Sequence, residues 1–135
     1  MSVDDQQLFE RAKAVRQRAY APYSRFLVGA AILDDQGQVH VGCNVENAAF
    51  PQGACAEAGA IAAMVAGGGR KIARIAVVGG PDTLIMTTPC GGCRQRIAEF
   101  ASADTRILIM DETGAVRAFS IADLLPHGFG PDDLQ

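Results

Sequence analysis

Two segments bring together residue types that can do chemistry: Cys55-Ala56-Glu57 and Pro89-Cys90-Gly91-Gly92-Cys93. Three thiols beside one carboxylate describe a zinc site with three protein ligands, one ion per chain. An open fourth position marks catalytic zinc, whereas structural sites are closed by a further Cys or His. Cys90 and Cys93 are three apart at the start of a predicted helix and can share one side of its first turn, while Cys55 opens a second helix. Helix N-termini favour the deprotonated sulfur that the metal needs. Glu57, two residues past Cys55, is read as a proton carrier: the metal makes bound water acidic, and an adjacent carboxylate takes the released proton and passes it on. Other readings stay open at this point. Cys90-Gly91-Gly92-Cys93 alone also fits a redox pair or half of a structural zinc knuckle. Cys43, the remaining cysteine, is either a small buried hydrophobe at a strand end or a fourth ligand that would close the site.

The chain around these residues narrows the setting. Its 135 residues suit a single domain spanning 1–135, and half of them are apolar. Net charge is −3, Lys13 and Lys71 are the only lysines, and the arginines form no basic stripe, so no nucleic-acid polymer is expected as a partner. The acidic start, Met1-Ser2-Val3-Asp4-Asp5, is unlike a signal peptide, and no apolar run reaches the roughly 18 residues of a membrane helix. A cytoplasmic protein without a membrane partner is the expectation. In that reducing compartment the four cysteines are metal ligands or buried thiols rather than disulfides.

The elements that must position the site can be read from periodicity. Leu8, Ala12, Val15 and Ala19 recur at helical spacing, predicting a helix from about Asp4 to Ala19 with Ser2 and Asp5 as a capping box. Leu27 to Leu33 and Val39 to Cys43 read as strands joined by the turn Asp34-Asp35-Gln36-Gly37. Cys55 to Ala66 is small and apolar on nearly every face, which predicts a buried helix stopped by Gly67-Gly68-Gly69. Ile72 to Val78 and Arg106 to Met110 are strands flanking a helix that starts near Cys90, a pattern that predicts a parallel, right-handed crossover. Val116 to Ser120 adds an edge strand and Ile121 to Leu125 a short helix. His40, between Val39 and Val41, is expected to face solvent. Phe129 lies in a loop-like tail with no core of its own to join.

These residues, with Ala21-Pro22-Tyr23-Ser24, Phe26, Val28-Gly29-Ala30-Ala31, Gly42 to Ala48, Arg94-Gln95 and Leu124-Leu125-Pro126, make the chain resemble the small cytidine deaminases over most of its length. The resemblance implies an α/β fold, a three-layer α/β/α sandwich around a mixed five-stranded sheet, and a homotetramer whose subunits share sites. It implies Cys55, Cys90 and Cys93 as zinc ligands and Glu57 as the catalytic acid and base in hydrolysis of the C4 amino group. Asn44 and Glu46 match the pair that hydrogen-bonds the ribose 3′-hydroxyl, Phe26 a ring packed on the pyrimidine, Ala54 a backbone contact to the base, and Phe129 an aromatic supplied by a neighbouring subunit. Many members carry Arg directly after the catalytic Glu; here it is Ala58, so Arg94 is expected to offset the thiolate charge. Three functions are consistent with this reading. They are zinc-dependent deamination of cytidine and 2′-deoxycytidine in pyrimidine salvage, deamination of another aminopyrimidine nucleoside such as blasticidin S, or a non-catalytic zinc-stabilised binding module.

Overall fold

A computed structural model describes residues 3–134. Helix α1 spans Asp5–Arg16, and Asp4 caps it in a reciprocal box with Gln7. The expected box at Ser2 and Asp5 is thereby replaced by one at Asp4, and Ser2 itself lies outside the described residues. The helix ends at Arg16 rather than Ala19, where the backbone passes into tight turns with the Arg18 and Ala19 amides on the Val15 and Arg16 carbonyls; the buried Arg16 side chain donates to the carbonyls of Leu27, Gly80 and Pro81. Strands β1 (Leu27–Asp34) and β2 (Val39–Cys43) form the expected hairpin, with Gly37 in the left-handed region at φ 80°. Helix α2 (Ala56–Ala66), strand β3 (Ile72–Gly80), helix α3 (Gly91–Phe100), strand β4 (Arg106–Met110), strand β5 (Val116–Phe119) and helix α4 (Ile121–Leu124) follow.

The sheet order is β2-β1-β3-β4-β5, with β3 and β4 parallel and every other neighbour antiparallel. Alternation along the central strands builds two cores. On one face Leu8, Phe9 and Ala12 of α1 meet Ala31, Leu33, Ala76, Val78 and Leu108. On the other, Ala56, Ala60, Ile61 and Met64 of α2, Ile97 of α3 and Leu124 of α4 meet Ala30, Ile32, Ile75, Val77 and Ile107. Helices on both faces of a mixed sheet give the three-layer sandwich.

Close approach of α2 to the sheet depends on Gly42. A Cβ there would lie 2.3 Å from the Ala60 nitrogen and 2.5 Å from the Ala56 carbonyl. The first turn of α2 is thus seated directly on β2, which fixes where Cys55 and Glu57 stand.

His40 departs from expectation. Its side chain is only 13% exposed, and its Nε2 lies 2.8 Å from the buried Asp34 carboxylate. The α2 C-terminus covers that edge, so a position that alternates outward along the strand is roofed by the helix layer.

Candidate active site

Cys55 and Cys90 occupy the N-caps of α2 and α3, with extended backbone and no side-chain cap bond. Their sulfurs are 3.9 Å apart. Cys93 stands one turn into α3 and is buried, and all three sulfurs lie within 4.8 Å of one another. Two helix N-termini on the same face of the sheet therefore converge on one thiol cluster. Such a set fits zinc, which accepts thiolate sulfur and three protein ligands. Cys43 in β2 is not part of the cluster, and among the described residues no fourth side chain completes it.

The thiols do not share one environment. Burial pushes the Cys93 thiol well up, with the Glu57 carboxylate and the other two sulfurs adding to it, and burial likewise raises Cys55. At Cys90 burial is outweighed by hydrogen bonds from the Cys93 backbone and the neighbouring thiols, so its pKa falls. A bound divalent cation favours all three deprotonated sulfurs together.

Glu57, in the first turn of α2, is 4% exposed, and burial raises its carboxyl above the usual carboxylate range. It lines a cleft of about 360 Å³ together with Cys55 and Cys90. Phe26, Asn44, Glu46 and Ala54 line the same cleft. Phe129 does not. It is 57% exposed, and its carbonyl accepts from the Gln95 side chain, which ties the tail to α3.

The polar groups of the cleft are largely engaged already. Asn44 Oδ1 accepts from the Val28 amide at 2.8 Å and its Nδ2 donates to the Phe26 carbonyl at 2.8 Å. Glu46 Oε1 accepts from the amides of Tyr23 and Ser24, and Oε2 accepts from the Ser24 hydroxyl. Ala54 exchanges both backbone bonds with Val45, so only the second lone pair of its carbonyl is left for a ligand.

Arg94 is engaged by backbone carbonyls. Its Nε donates to the Pro89 carbonyl at 2.8 Å and its Nη1 to that of Leu124 at 2.9 Å, a tie between the ligand loop and α4. The cation near sulfur is Arg96, whose Nη1 lies 4.0 Å from Cys93 Sγ. Thr87, Thr88, Val45 and Phe50 also line the cleft and were not singled out from sequence. The position of Thr87 and Thr88 just before Pro89-Cys90 was a usable signal, whereas Phe50 gave none.

Comparison with known proteins agrees with this geometry. Residues 2–110 match the family described as the cytidine and deoxycytidylate deaminase zinc-binding region. A cytidine deaminase of Sporosarcina psychrophila is 39% identical over 133 residues, 98% of this chain and 96% of that one. A cytidine deaminase of Mycobacterium tuberculosis is 42% identical over 132 residues, 98% of this chain and 94% of that one. The crystal structure of cytidine deaminase from Burkholderia pseudomallei superposes with a TM-score of 0.85 at 43% identity, covering 94% of this chain and all of that one.

Proposed function

The chain belongs to the family of zinc-binding cytidine and deoxycytidylate deaminases, and from that membership we propose that it hydrolyses cytidine and 2′-deoxycytidine to uridine and 2′-deoxyuridine with release of ammonia, in pyrimidine salvage. The observation that carries this reading is the buried Glu57 beside three convergent thiols at one part of a cleft that also holds Asn44 and Glu46.

Cys55, Cys90 and Cys93 would hold zinc, which when bound would supply the Lewis acidity that lets water ionise near neutral pH. Glu57 takes the proton given up by the attacking water, delivers it to ring N3, and serves again when the C4 amine departs as ammonia. Burial raises its carboxyl above the usual carboxylate range, a direction that favours keeping the proton between the two steps. Phe26 offers an apolar wall for the pyrimidine, and the free lone pair of the Ala54 carbonyl can receive a base N–H.

Asn44 and Glu46 together retain little hydrogen-bonding capacity. Glu46 has one acceptor site left on Oε2, and Asn44 has one N–H and one lone pair. A single hydroxyl that donates to Glu46 and accepts from Asn44 uses the pair well, which supports recognition of the ribose 3′-hydroxyl. A 2′-hydroxyl is not required by this arrangement, in keeping with activity on both nucleosides.

The proposed assembly is a homotetramer in which Phe129 completes a neighbour's cleft. Its exposure, and that of Phe50 and Tyr23 around the cleft, supports the reading. The proposed compartment is the cytoplasm, supported by four free cysteines; among the described residues no helix is long and apolar enough to cross a membrane.

Ultraviolet absorbance on mixing with cytidine, deoxycytidine and blasticidin S tests the assignment. Loss of the cytosine band with the first two is expected. Turnover of blasticidin S alone would move the substrate class, and no turnover by zinc-replete protein would leave only a binding module. Glu57→Gln should keep zinc and bind nucleoside while kcat falls by several orders of magnitude. Near-normal kcat would remove Glu57 from the proton path.

A further inference from the structure

We propose that Ser24 is a positioning residue for substrate, its hydroxyl aiming the Glu46 carboxylate into the cleft and holding the Phe26 backbone beside it. The proposal rests on the reading of Glu46 and Phe26 as substrate contacts.

Glu46 is a surface residue with a long side chain, and such carboxylates ordinarily sample many rotamers. Here three donors from two consecutive residues of another segment immobilise it: the amides of Tyr23 and Ser24 at 3.0 and 3.1 Å on Oε1, and the Ser24 hydroxyl on Oε2. The amides fix the position of one oxygen. Only the hydroxyl fixes the rotation of the group, and hence where the free lone pair of Oε2 points. These bonds also hold the Glu46 carboxyl below its usual range, with the Ser24 hydroxyl as the main contributor.

The Ser24 oxygen has a second partner. It accepts from the Phe26 amide at 3.0 Å, so its lone proton is left for Glu46. The Phe26 carbonyl is in turn held by Asn44 Nδ2. Phe26 is therefore clamped at both backbone groups, its N–H by Ser24 and its carbonyl by Asn44.

Between Ser24 and Phe26 lies Arg25 at φ 60°, a left-handed conformation uncommon for a residue with a long side chain. Its amide donates to the Ala21 carbonyl at 3.0 Å. Backbone strain of this kind persists where the surroundings over-determine it, and ligand clamps are such places. The bonds from Tyr20, Tyr23, Ser24 and Phe26 to Asn44 and Glu46 supply that constraint. This tight turn places a hydroxyl between the two substrate-facing groups.

The test uses the zinc-loaded enzyme, with cytidine and 3′-deoxycytidine as substrates. Ser24→Ala should raise KM for cytidine about tenfold with kcat nearly unchanged, the loss of one bond to a charged group. It should also reduce the preference for cytidine over 3′-deoxycytidine, and Ser24→Thr should restore both. A merely structural role would alter zinc content or thermal stability without moving that preference. In the Ser24→Ala, Glu46→Gln double variant the preference should be no lower than in Glu46→Gln alone, because Ser24 acts through the carboxylate; additive losses overturn the proposal. If Glu46→Gln itself leaves the preference intact, the ribose assignment has failed. If Glu46→Gln abolishes it while Ser24→Ala does not, Ser24 alone has been misassigned.

Discussion

Three thiolates around a divalent cation sum to a net negative charge, so a nearby cation steadies the loaded site. At 4.0 Å from Cys93 Sγ, Arg96 is placed to do this, whereas the Arg94 guanidinium is committed to the carbonyls of Pro89 and Leu124. Arg96→Gln should therefore release zinc to a chelator several-fold faster than the parent protein, followed with a colorimetric metal indicator. Arg94→Gln should leave that rate close to normal while lowering thermal stability; equal zinc loss in both would remove the distinction. The convergence of Cys55, Cys90 and Cys93 at a cleft that also holds Glu57 was legible in sequence because those residue types at that spacing have few other uses. The neighbouring arginine was harder to read, because adjacency along the chain is not adjacency in space. On a helix, residue i+3 shares a face with residue i, so Arg96 rather than Arg94 lies over Cys93. That signal was present and unused.

The β1–β2 hairpin shows how an element can be foreseen while its chemistry is not. Strand positions and the turn followed from two short apolar runs joined by Asp34-Asp35-Gln36-Gly37, but nothing in the pattern said that the Asp34 carboxylate turns inward. It accepts from the amides of Gln36 and Gln38 at 2.8 and 2.9 Å and from His40. Burial alone would raise its pKa; the bonds from His40 and the two amides outweigh burial and lower it. A carboxyl whose folded pKa is depressed stabilises the fold fully above its unfolded value, about 3.9, and that contribution is lost as pH falls through the folded pKa. Asp34→Asn should cost roughly 1 to 3 kcal/mol at neutral pH. Denaturant unfolding should show the gap to the parent protein narrowing below pH 4, and a pH-independent gap would show that charge is not involved. The short 3-10 turn Phe50–Gln52 escaped prediction because a single turn leaves no periodicity to detect.

At the scale of the molecule, the buried α2 and the parallel β3–β4 pair were legible because small apolar residues fill that helix and strand, helix and strand alternate after it, while the three layers came with the resemblance to the cytidine deaminases. Assembly was less accessible, since a lone exposed Phe129 can equally hold down a tail. If the proposed sharing of sites is correct, Phe129→Ala should weaken substrate binding. Mixing it with inactive Glu57→Gln protein should then recover activity, because some clefts in mixed tetramers combine an intact Glu57 with a neighbour's Phe129. Additive rates with no gain on mixing would mean that each chain is self-sufficient.

The 3.9 Å between Cys55 and Cys90 has a consequence for durability. Sulfurs that close are a small rotation from a covalent bond, and Cys90 is exposed. While zinc occupies both thiolates, that reaction is blocked. Once the ion is stripped, one equivalent of hydrogen peroxide can join the two thiols, giving a disulfide and two waters. Metal loss would then become a one-way door rather than a reversible step. Chelated protein exposed to peroxide should refuse zinc until dithiothreitol is added, while loaded protein should tolerate the same dose; unassisted reloading after peroxide would show that the ion is not the guard of its own ligands.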